Sequence, residues 1–96
     1  MPGRKTHKEV LKESMDLLNV RGLEYGDAKQ THKRIAEIAS AIIGKELTSY
    51  DVAVLHMATK LARIRESPNK HDSYVDLINY TAFAAEFADG PDKEKT

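Results

Sequence analysis

The residues whose types and spacing suggest a binding site lie mainly in the second half of the sequence. Asp72 and Asp76 are four residues apart, so on a helix both carboxylates lie on one face, which Tyr80 continues. Lys60 and Arg63 are three residues apart on the preceding helical segment. A short link between two antiparallel helices would bring these two groups together. They would then form either an interhelical salt-bridge network or a polar pocket in which Arg63 holds a phosphate.

A second candidate is the segment Tyr25-Gly26-Asp27, which precedes a predicted helix. It combines an aromatic ring, a permissive backbone and a carboxylate beside a helix N-terminus, where free amides favour anions. The simpler interpretation is a loop in which Asp27 caps the helix, because Asp is a common N-cap residue. Cationic or titratable side chains follow within two turns: Lys29, His32, Lys33 and Arg34.

Metal-dependent and nucleophilic chemistries have less support in the sequence. Asp72 and Asp76 could hold magnesium, which prefers oxygen ligands. The chain has no Cys, and its four His residues lack metal-ligand spacing, so zinc is not expected. His7 and His32 are predicted on polar helix faces. No Ser has the glycine-flanked setting of a hydrolase nucleophile, and the glycine-rich phosphate loops are absent. We therefore expect no cofactor, unless the site uses magnesium.

Composition excludes several classes of partner. Among the 96 residues, Lys plus Arg and Asp plus Glu each number 15, so the net charge is zero. Proteins that coat duplex nucleic acid need surplus cations, and such a partner is not expected. No apolar run approaches the roughly 20 residues of a membrane span, and the first residues do not resemble a signal peptide. We expect a cytoplasmic protein with no membrane partner.

Periodicity predicts an all-α domain with no strand. Thr6 with Glu9 and Thr48 with Asp51 have the form of capping boxes, and Gly22 and Gly44 are typical of helix ends. Predicted helices cover residues 7–21, 28–43, 49–66 and 73–89. They form one domain at 6–89, between mobile ends at 1–5 and 90–96.

The apolar surfaces of these helices predict self-association. The second predicted helix has a buried stripe of Ile35, Ile38, Ala39 and Ile42. The third is apolar over more than half of its circumference, with His56, Lys60 and Arg63 on the remaining arc. Three short neighbours can hardly cover so wide an arc. We therefore expect the four-helix domain to be completed by homo-oligomerisation, with two-fold symmetry at its base.

Five short motifs carry a family resemblance: Tyr25-Gly26-Asp27, Arg34-Ile35-Ala36-Glu37, Asp51-Val52-Ala53, Lys60-Leu61-Ala62-Arg63-Ile64, and Asp72-Ser73-Tyr74-Val75-Asp76-Leu77 with Tyr80. With them, residues 25–88 resemble small phage and prophage domains of unassigned function. These domains are distantly similar to the all-α nucleotide pyrophosphohydrolases of the MazG type. By that resemblance, Asp76 corresponds to the metal-binding Asp of the final carboxylate helix.

The sequence departs from the MazG pattern at one informative place. That group has a Glu-x-x-Glu pair on the preceding helix, where this chain has Lys60 and Arg63. Carboxylates could come instead from Glu37 and Asp51. If the chain is an enzyme, the resemblance implies magnesium with Asp76, Asp72 and Glu37 in the catalytic set. The two cations instead favour direct binding of phosphate groups. Efficient turnover is then not expected, because nucleotide hydrolysis of the MazG type depends mainly on metal activation of water.

Three functions follow as expectations. The favoured one is binding of a nucleotide or cyclic nucleotide, by analogy with phage sponge proteins that sequester the second messengers of bacterial defence. The second is a magnesium-dependent pyrophosphohydrolase, and the third is an interaction module that docks a host protein through the first helix. The expected ligand-binding residues are Tyr25, Gly26, Asp27, Lys60, Arg63, Asp72, Asp76 and Tyr80.

Overall fold

The computed structural model describes residues 5–25 and 27–88, and the side chains of residues 22–25 lie outside that description. The described chain forms four helices and no strand: α1 (His7–Tyr25), α2 (Ala28–Ile43), α3 (Ser49–Glu66) and α4 (His71–Phe87). The predicted all-α, four-helix fold is confirmed for these residues. Of the ends predicted to be mobile, only Lys5 is described, and its ammonium lies 2.6 Å from the Glu13 carboxylate. None of the four described helices is both long and apolar enough to cross a membrane.

The helix starts follow from local capping. The Glu9 amide donates to the Thr6 hydroxyl at 3.2 Å, and the Thr6 amide donates to the Glu9 carboxylate at 2.8 Å. Thr48 forms the same reciprocal pair with Asp51 at the start of α3. At the start of α2, the Lys29 amide donates to the Asp27 carboxylate at 3.1 Å. Both predicted capping boxes and the Asp27 cap are therefore present.

Helix ends agree less well with the sequence. Gly44 has the left-handed conformation that ends α2, with a φ of 80°. Gly22, predicted to end the first helix near residue 21, instead lies inside α1, which continues to Tyr25. Gly within a helix costs only about 1 kcal/mol relative to Ala, and packing can offset that amount. The last helix ends at Phe87, with Ala88 in a turn, and the predicted end at residue 89 lies outside the described residues.

The core lies mainly between the last two helices. α4 packs most extensively on α3 and also on α1, whereas α2 packs chiefly on α3. Ala53, Ala84 and Phe87 form the buried cluster, with Met57 and Phe83 packed against it. Small buried side chains allow helices to approach closely, and three of them are Ser14, Ser49 and Ser73.

The predicted buried stripe of the second helix is not buried within the described chain. Ile35, Ile38 and Ile42 are 36%, 62% and 79% exposed, whereas His32 and Ala36 are buried. The physical reason is that α2 has one main neighbour, so only one of its faces is covered within the chain. The third helix likewise exposes four large hydrophobic side chains, those of Tyr50, Val54, Leu55 and Leu61. Self-association stays a prediction that these surfaces motivate.

Candidate ligand-binding cleft

A cleft of about 680 Å³ lies between α1, the N-terminal half of α2, and α4. We call it the His32 cleft. Its volume is within the range of roughly 300–1,000 Å³ that is usual for small-molecule sites. It is lined by Leu18, Arg21, Asp27, Ala28, Thr31, His32, Asp76, Asn79, Tyr80 and Phe83.

Aromatic rings form one wall of the cleft. The His32 ring centroid lies 5.2 Å from that of Phe83 and 5.3 Å from that of Phe87. Behind this wall, the His56 imidazole stacks on the Tyr80 ring, with centroids 4.6 Å apart and planes at 22°. His56 also meets His32 edge-on at 5.6 Å. These contacts hold flat faces beside the cleft, which suit a flat ligand.

His32 brings an unpaired polar atom to this apolar setting. The residue is only 5% exposed, and its Nδ1 lies 2.8 Å from the Ala28 carbonyl oxygen. Because a carbonyl oxygen can only accept, Nδ1 carries the hydrogen and donates it. In the neutral ring, Nε2 is then an acceptor, and this buried atom has no hydrogen-bond partner among the described residues.

Asn79 brings the complementary group. The residue is also 5% exposed, and its buried Nδ2 has no hydrogen-bond partner in the part of the chain that the structure describes. A buried polar group left unpaired costs about 1–3 kcal/mol. His32 and Asn79 both line the cleft, and each holds one such buried atom, an acceptor in His32 and a donor in Asn79. A ligand that pairs with both would remove these costs.

Charged groups lie at the other side of the His32 cleft. The Asp76 carboxylate is 2.9 Å from the Lys60 ammonium and 3.7 Å from the Arg21 guanidinium. Lys60 and Asp76 are largely buried, whereas Arg21 is 47% exposed. The close pair neutralises Asp76. The Arg21 guanidinium therefore stays a partly exposed cation, and the exposed Asp27 lines the same cleft.

The pKa of His56 lies below its ordinary value of 6.5. The first cause is burial, which disfavours the charged ring, and the nearby His32 and Lys60 act in the same direction. His56 is therefore neutral at pH 7. It serves the cleft as an aromatic support for Tyr80 rather than as a cation for phosphate.

The structure brings together some of the residues predicted as a ligand site. Asp27, Asp76 and Tyr80 line the His32 cleft, and Lys60 reaches it only through its ion pair with Asp76. Arg63 is exposed, lines neither cleft, and has no ion pair among the described residues. The remaining predicted residues are elsewhere: Glu37 is exposed outside both clefts, Asp72 lines a second cleft, and the Tyr25 side chain and Gly26 lie outside the described residues.

Sequence reasoning missed the two central residues. The prediction that His32 lies on a polar face is wrong, because its side chain is buried against aromatic rings from α3 and α4. The four-residue spacing of Ala28, His32 and Ala36 places the imidazole ring between two small residues on one helix face. This spacing was the signal in the sequence that could have indicated burial of His32. Asn79 similarly lies four residues from Val75 and from Phe83, on the apolar side of the last helix.

The second cleft, of about 400 Å³, is acidic. Glu13, Asp16, Asp72 and Asp76 line it together with Arg21. No group of three or more His, Cys, Asp or Glu side chains among the described residues is arranged to hold a metal ion. Of the two carboxylates that the MazG resemblance would assign to magnesium, Asp76 is paired with Lys60, and Asp72 is exposed.

The chain is similar to known phage proteins. Gene 55 protein of Mycobacterium phage L5 is 38% identical over 73 residues, which cover 74% of this chain and 47% of the relative. Gene 55 protein of Mycobacterium phage D29 is 31% identical over 74 residues, which cover 76% of this chain and 49% of the relative. The chain thus spans about half the length of these curated relatives. No solved structure matches it.

The family assignment follows from the match to one domain model. Residues 9–88 match DUF6378, described as a domain of unknown function. Together with the Gene 55 proteins, this match confirms the predicted resemblance to small phage domains of unassigned function. The more distant similarity to MazG-type enzymes stays a prediction. The chain belongs to the DUF6378 domain family.

Proposed function

We propose that this chain binds a nucleotide or cyclic nucleotide in the His32 cleft and holds it without efficient hydrolysis. One observation carries the proposal: His32 and Asn79 line the same cleft, and each has a buried polar atom with no hydrogen-bond partner among the described residues. Native proteins rarely leave such groups unpaired. A flat heterocycle with polar edge atoms would pair with both.

The walls of the cleft support a nucleobase as that heterocycle. Leu18 and Phe83 supply apolar surface, and Tyr80 adds an aromatic ring supported from behind by His56. Base–aromatic stacking contributes about 1–3 kcal/mol per base. The apolar walls thus provide affinity, and the buried polar atoms orient the base.

The other side of the cleft supports a sugar phosphate. The partly exposed Arg21 can form a two-pronged contact with phosphate oxygens. The Asp27 carboxylate can accept hydrogen bonds from sugar hydroxyls. This assignment replaces Lys60 and Arg63, the phosphate-binding pair expected from the sequence, with Arg21.

Retention without turnover rests on the donor set. Hydrolysis of phosphoanhydrides by MazG-type enzymes needs carboxylates free to bind metal ions, and Asp76 is neutralised by Lys60. The second candidate, a magnesium-dependent pyrophosphohydrolase, therefore has less support. A phage protein that retains a nucleotide intact would lower its free concentration, which is how sequestration of a second messenger would work.

We also propose that the working unit is a homo-oligomer. Ile38, Ile42 and Ile43 are each more than 60% exposed on one end of α2. Leu55 and Leu61 add exposed apolar surface on α3. In a dimer with a two-fold axis, this surface of one copy would pack on the same surface of the other copy.

The test combines thermal stability with recovery of the ligand. Common and cyclic nucleotides are added one at a time. We expect at least one of them to raise the melting temperature, because binding to the native state stabilises it. The bound compound should be recovered intact after heat denaturation, and binding should persist in chelator. Arg21→Ala should weaken that binding, whereas the matched control Arg63→Ala should leave it unchanged.

Other outcomes separate the alternatives. Release of pyrophosphate that chelator abolishes would favour the enzyme. Absence of any shift with every nucleotide would contradict the proposal. Binding of a host protein that is lost on changing the exposed Leu11 and Met15 of α1 would then favour the interaction module.

A further inference from the structure

We infer that two copies of this chain associate through α3, with the two α3 helices antiparallel and the two-fold axis passing between the two copies of Ala58. This inference rests on the homo-oligomer proposed above and deepens it, because it names the helix face, the orientation and the facing residues. Its basis is the exposed face of α3, on which apolar and charged side chains are placed symmetrically before and after Ala58.

The exposed apolar face of α3 lies opposite the buried face of the same helix. Val52 and Ala53 are buried within the chain. At about 100° per residue, the exposed apolar side chains project within one continuous arc of about 140° on the other side of the helix. They are Tyr50, Val54, Leu55, Ala58, Leu61 and Ala62, which we call the α3 outer face. The described residues leave this face open to a second molecule.

The apolar residues of the α3 outer face are complementary to one another in an antiparallel pair. Ala58 lies close to the middle of α3 and would meet its own copy, and its small side chain allows the helix axes to approach closely. One turn away, Leu55 of one copy would face Ala62 of the other, and Val54 would face Leu61. Each pair thus combines side chains of unequal size or shape, as interdigitated packing requires.

Charges at the two ends of the face favour the antiparallel orientation. Asp51 lies in the first turn of α3 and Arg65 in the last turn, seven positions before and after Ala58. An antiparallel pair brings Asp51 of each copy to Arg65 of the other, whereas a parallel pair in register brings like charges together. Arg65 is exposed and has no ion pair among the described residues. The Thr48 amide donates to the Asp51 carboxylate at 2.9 Å, which holds that carboxylate at the helix start.

This charge arrangement favours a second copy over a different protein. A two-fold interface must be complementary to itself, and opposite charges at equal distances from a central residue meet that condition. A different partner would need no such symmetry. One pair of helices buries less surface than stable dimers usually do, so the proposed dimer also needs the exposed isoleucines of α2.

Charge reversal tests the pairing of Asp51 with Arg65. Arg65→Glu places two carboxylates together at each end of the interface, and we expect it to raise the dissociation constant of the dimer by about fivefold or more. Arg63→Glu is the matched control, because Arg63 is exposed in the same last turn but projects away from the α3 outer face. It should leave the constant unchanged. Equal effects of the two variants would overturn the inference.

Disulfide cross-linking tests the orientation, and the chain contains no cysteine that would interfere. Ala58→Cys places a thiol beside the axis, so mild oxidation should give a covalent dimer. Ala62→Cys is the matched control, because in an antiparallel pair its two copies lie about 12 Å apart along the helices, too far for a disulfide. We expect Ala58→Cys to cross-link about tenfold faster or more than Ala62→Cys.

The other results separate failure of the orientation from failure of the homo-oligomer. Equal cross-linking rates would overturn the inference, since a parallel pair brings every residue to its own copy. Absence of a covalent dimer from Ala58→Cys, when light scattering shows that the unchanged chain is an oligomer, would overturn it while leaving the homo-oligomer intact. If the unchanged chain is a monomer, the proposed homo-oligomer fails and the inference fails with it.

Discussion

The Lys60 ammonium on α3 lies 2.9 Å from the Asp76 carboxylate on α4, and the two side chains are only 16% and 14% exposed. This pair joins the two helices that share the most extensive interface. It also removes both residues from the free phosphate or metal chemistry suggested by their types. A buried ion pair is weak support for stability, but removing one partner leaves an uncompensated charge.

We predict that Lys60→Met lowers the free energy of unfolding by about 1–3 kcal/mol or more, because it leaves the Asp76 carboxylate without its closest partner. The matched control is Lys12→Met, which breaks an exposed ion pair with Asp16 and should cost less than about 1 kcal/mol. Chemical denaturation measures both values. Equal costs for the two variants would show that the Lys60–Asp76 pair acts as an ordinary surface contact.

We predict that Asn79→Leu separates stability from binding. The substitution removes an unpaired buried amide and keeps a side chain branched at Cγ, so the ligand-free protein should be about as stable as before. Nucleotide binding should nevertheless be lost. Gln30→Leu, an amide replaced at an exposed position of α2, is the control and should leave binding intact. A marked loss of stability in Asn79→Leu would mean that the amide already has a structural role.

Local and tertiary features differ in how well the sequence predicts them. The caps at Thr6, Asp27 and Thr48 depend on residues within three positions, so the pattern contains all the information needed. The proximity of Lys60 and Asp76 also follows from sequence, because a short link joins two antiparallel helices.

The burial of individual side chains is less accessible to sequence. His32 could lie on either side of α2, and the choice depends on which face meets α3. The apolar pattern of Ile35, Ile38 and Ile42 indicates a surface that needs a partner, but it does not say whether that partner belongs to the same chain. The described chain covers His32 and leaves the isoleucines exposed.

We predict that stability falls as the pH is lowered from about 6.5 to the lower pKa of folded His56. In that interval the unfolded ring, with an ordinary pKa near 6.5, takes up a proton that the folded ring resists. The free energy of unfolding therefore rises with pH there and levels off above it. His56→Gln should flatten this slope, whereas His7→Gln, at an exposed position, should not. Denaturation curves at several pH values measure the slopes, and equal slopes in all three proteins would contradict the assignment.

We predict that the protein is at least a dimer and that the isoleucine face of α2 holds it together. Light scattering should give a mass of at least twice 10.8 kDa for the unchanged chain. Ile38→Glu should reduce that mass to one chain, because it would bury a charge at the interface. Gln30→Glu introduces the same side chain elsewhere on α2 and should not. A monomer for the unchanged protein would contradict the prediction.

The central claim is that a nucleotide occupies the His32 cleft, and the Asn79 side-chain amide reports on it directly. The measurement is a nuclear magnetic resonance titration of nitrogen-labelled protein with the nucleotide that gives the largest thermal shift, and Asn79→Leu identifies the signal. We predict that the Asn79 amide signals move and saturate together with the backbone signals of His32 and Tyr80, while those of Arg63 stay fixed. Saturation confined to residues outside the cleft, or no movement of the Asn79 amide, would contradict the account.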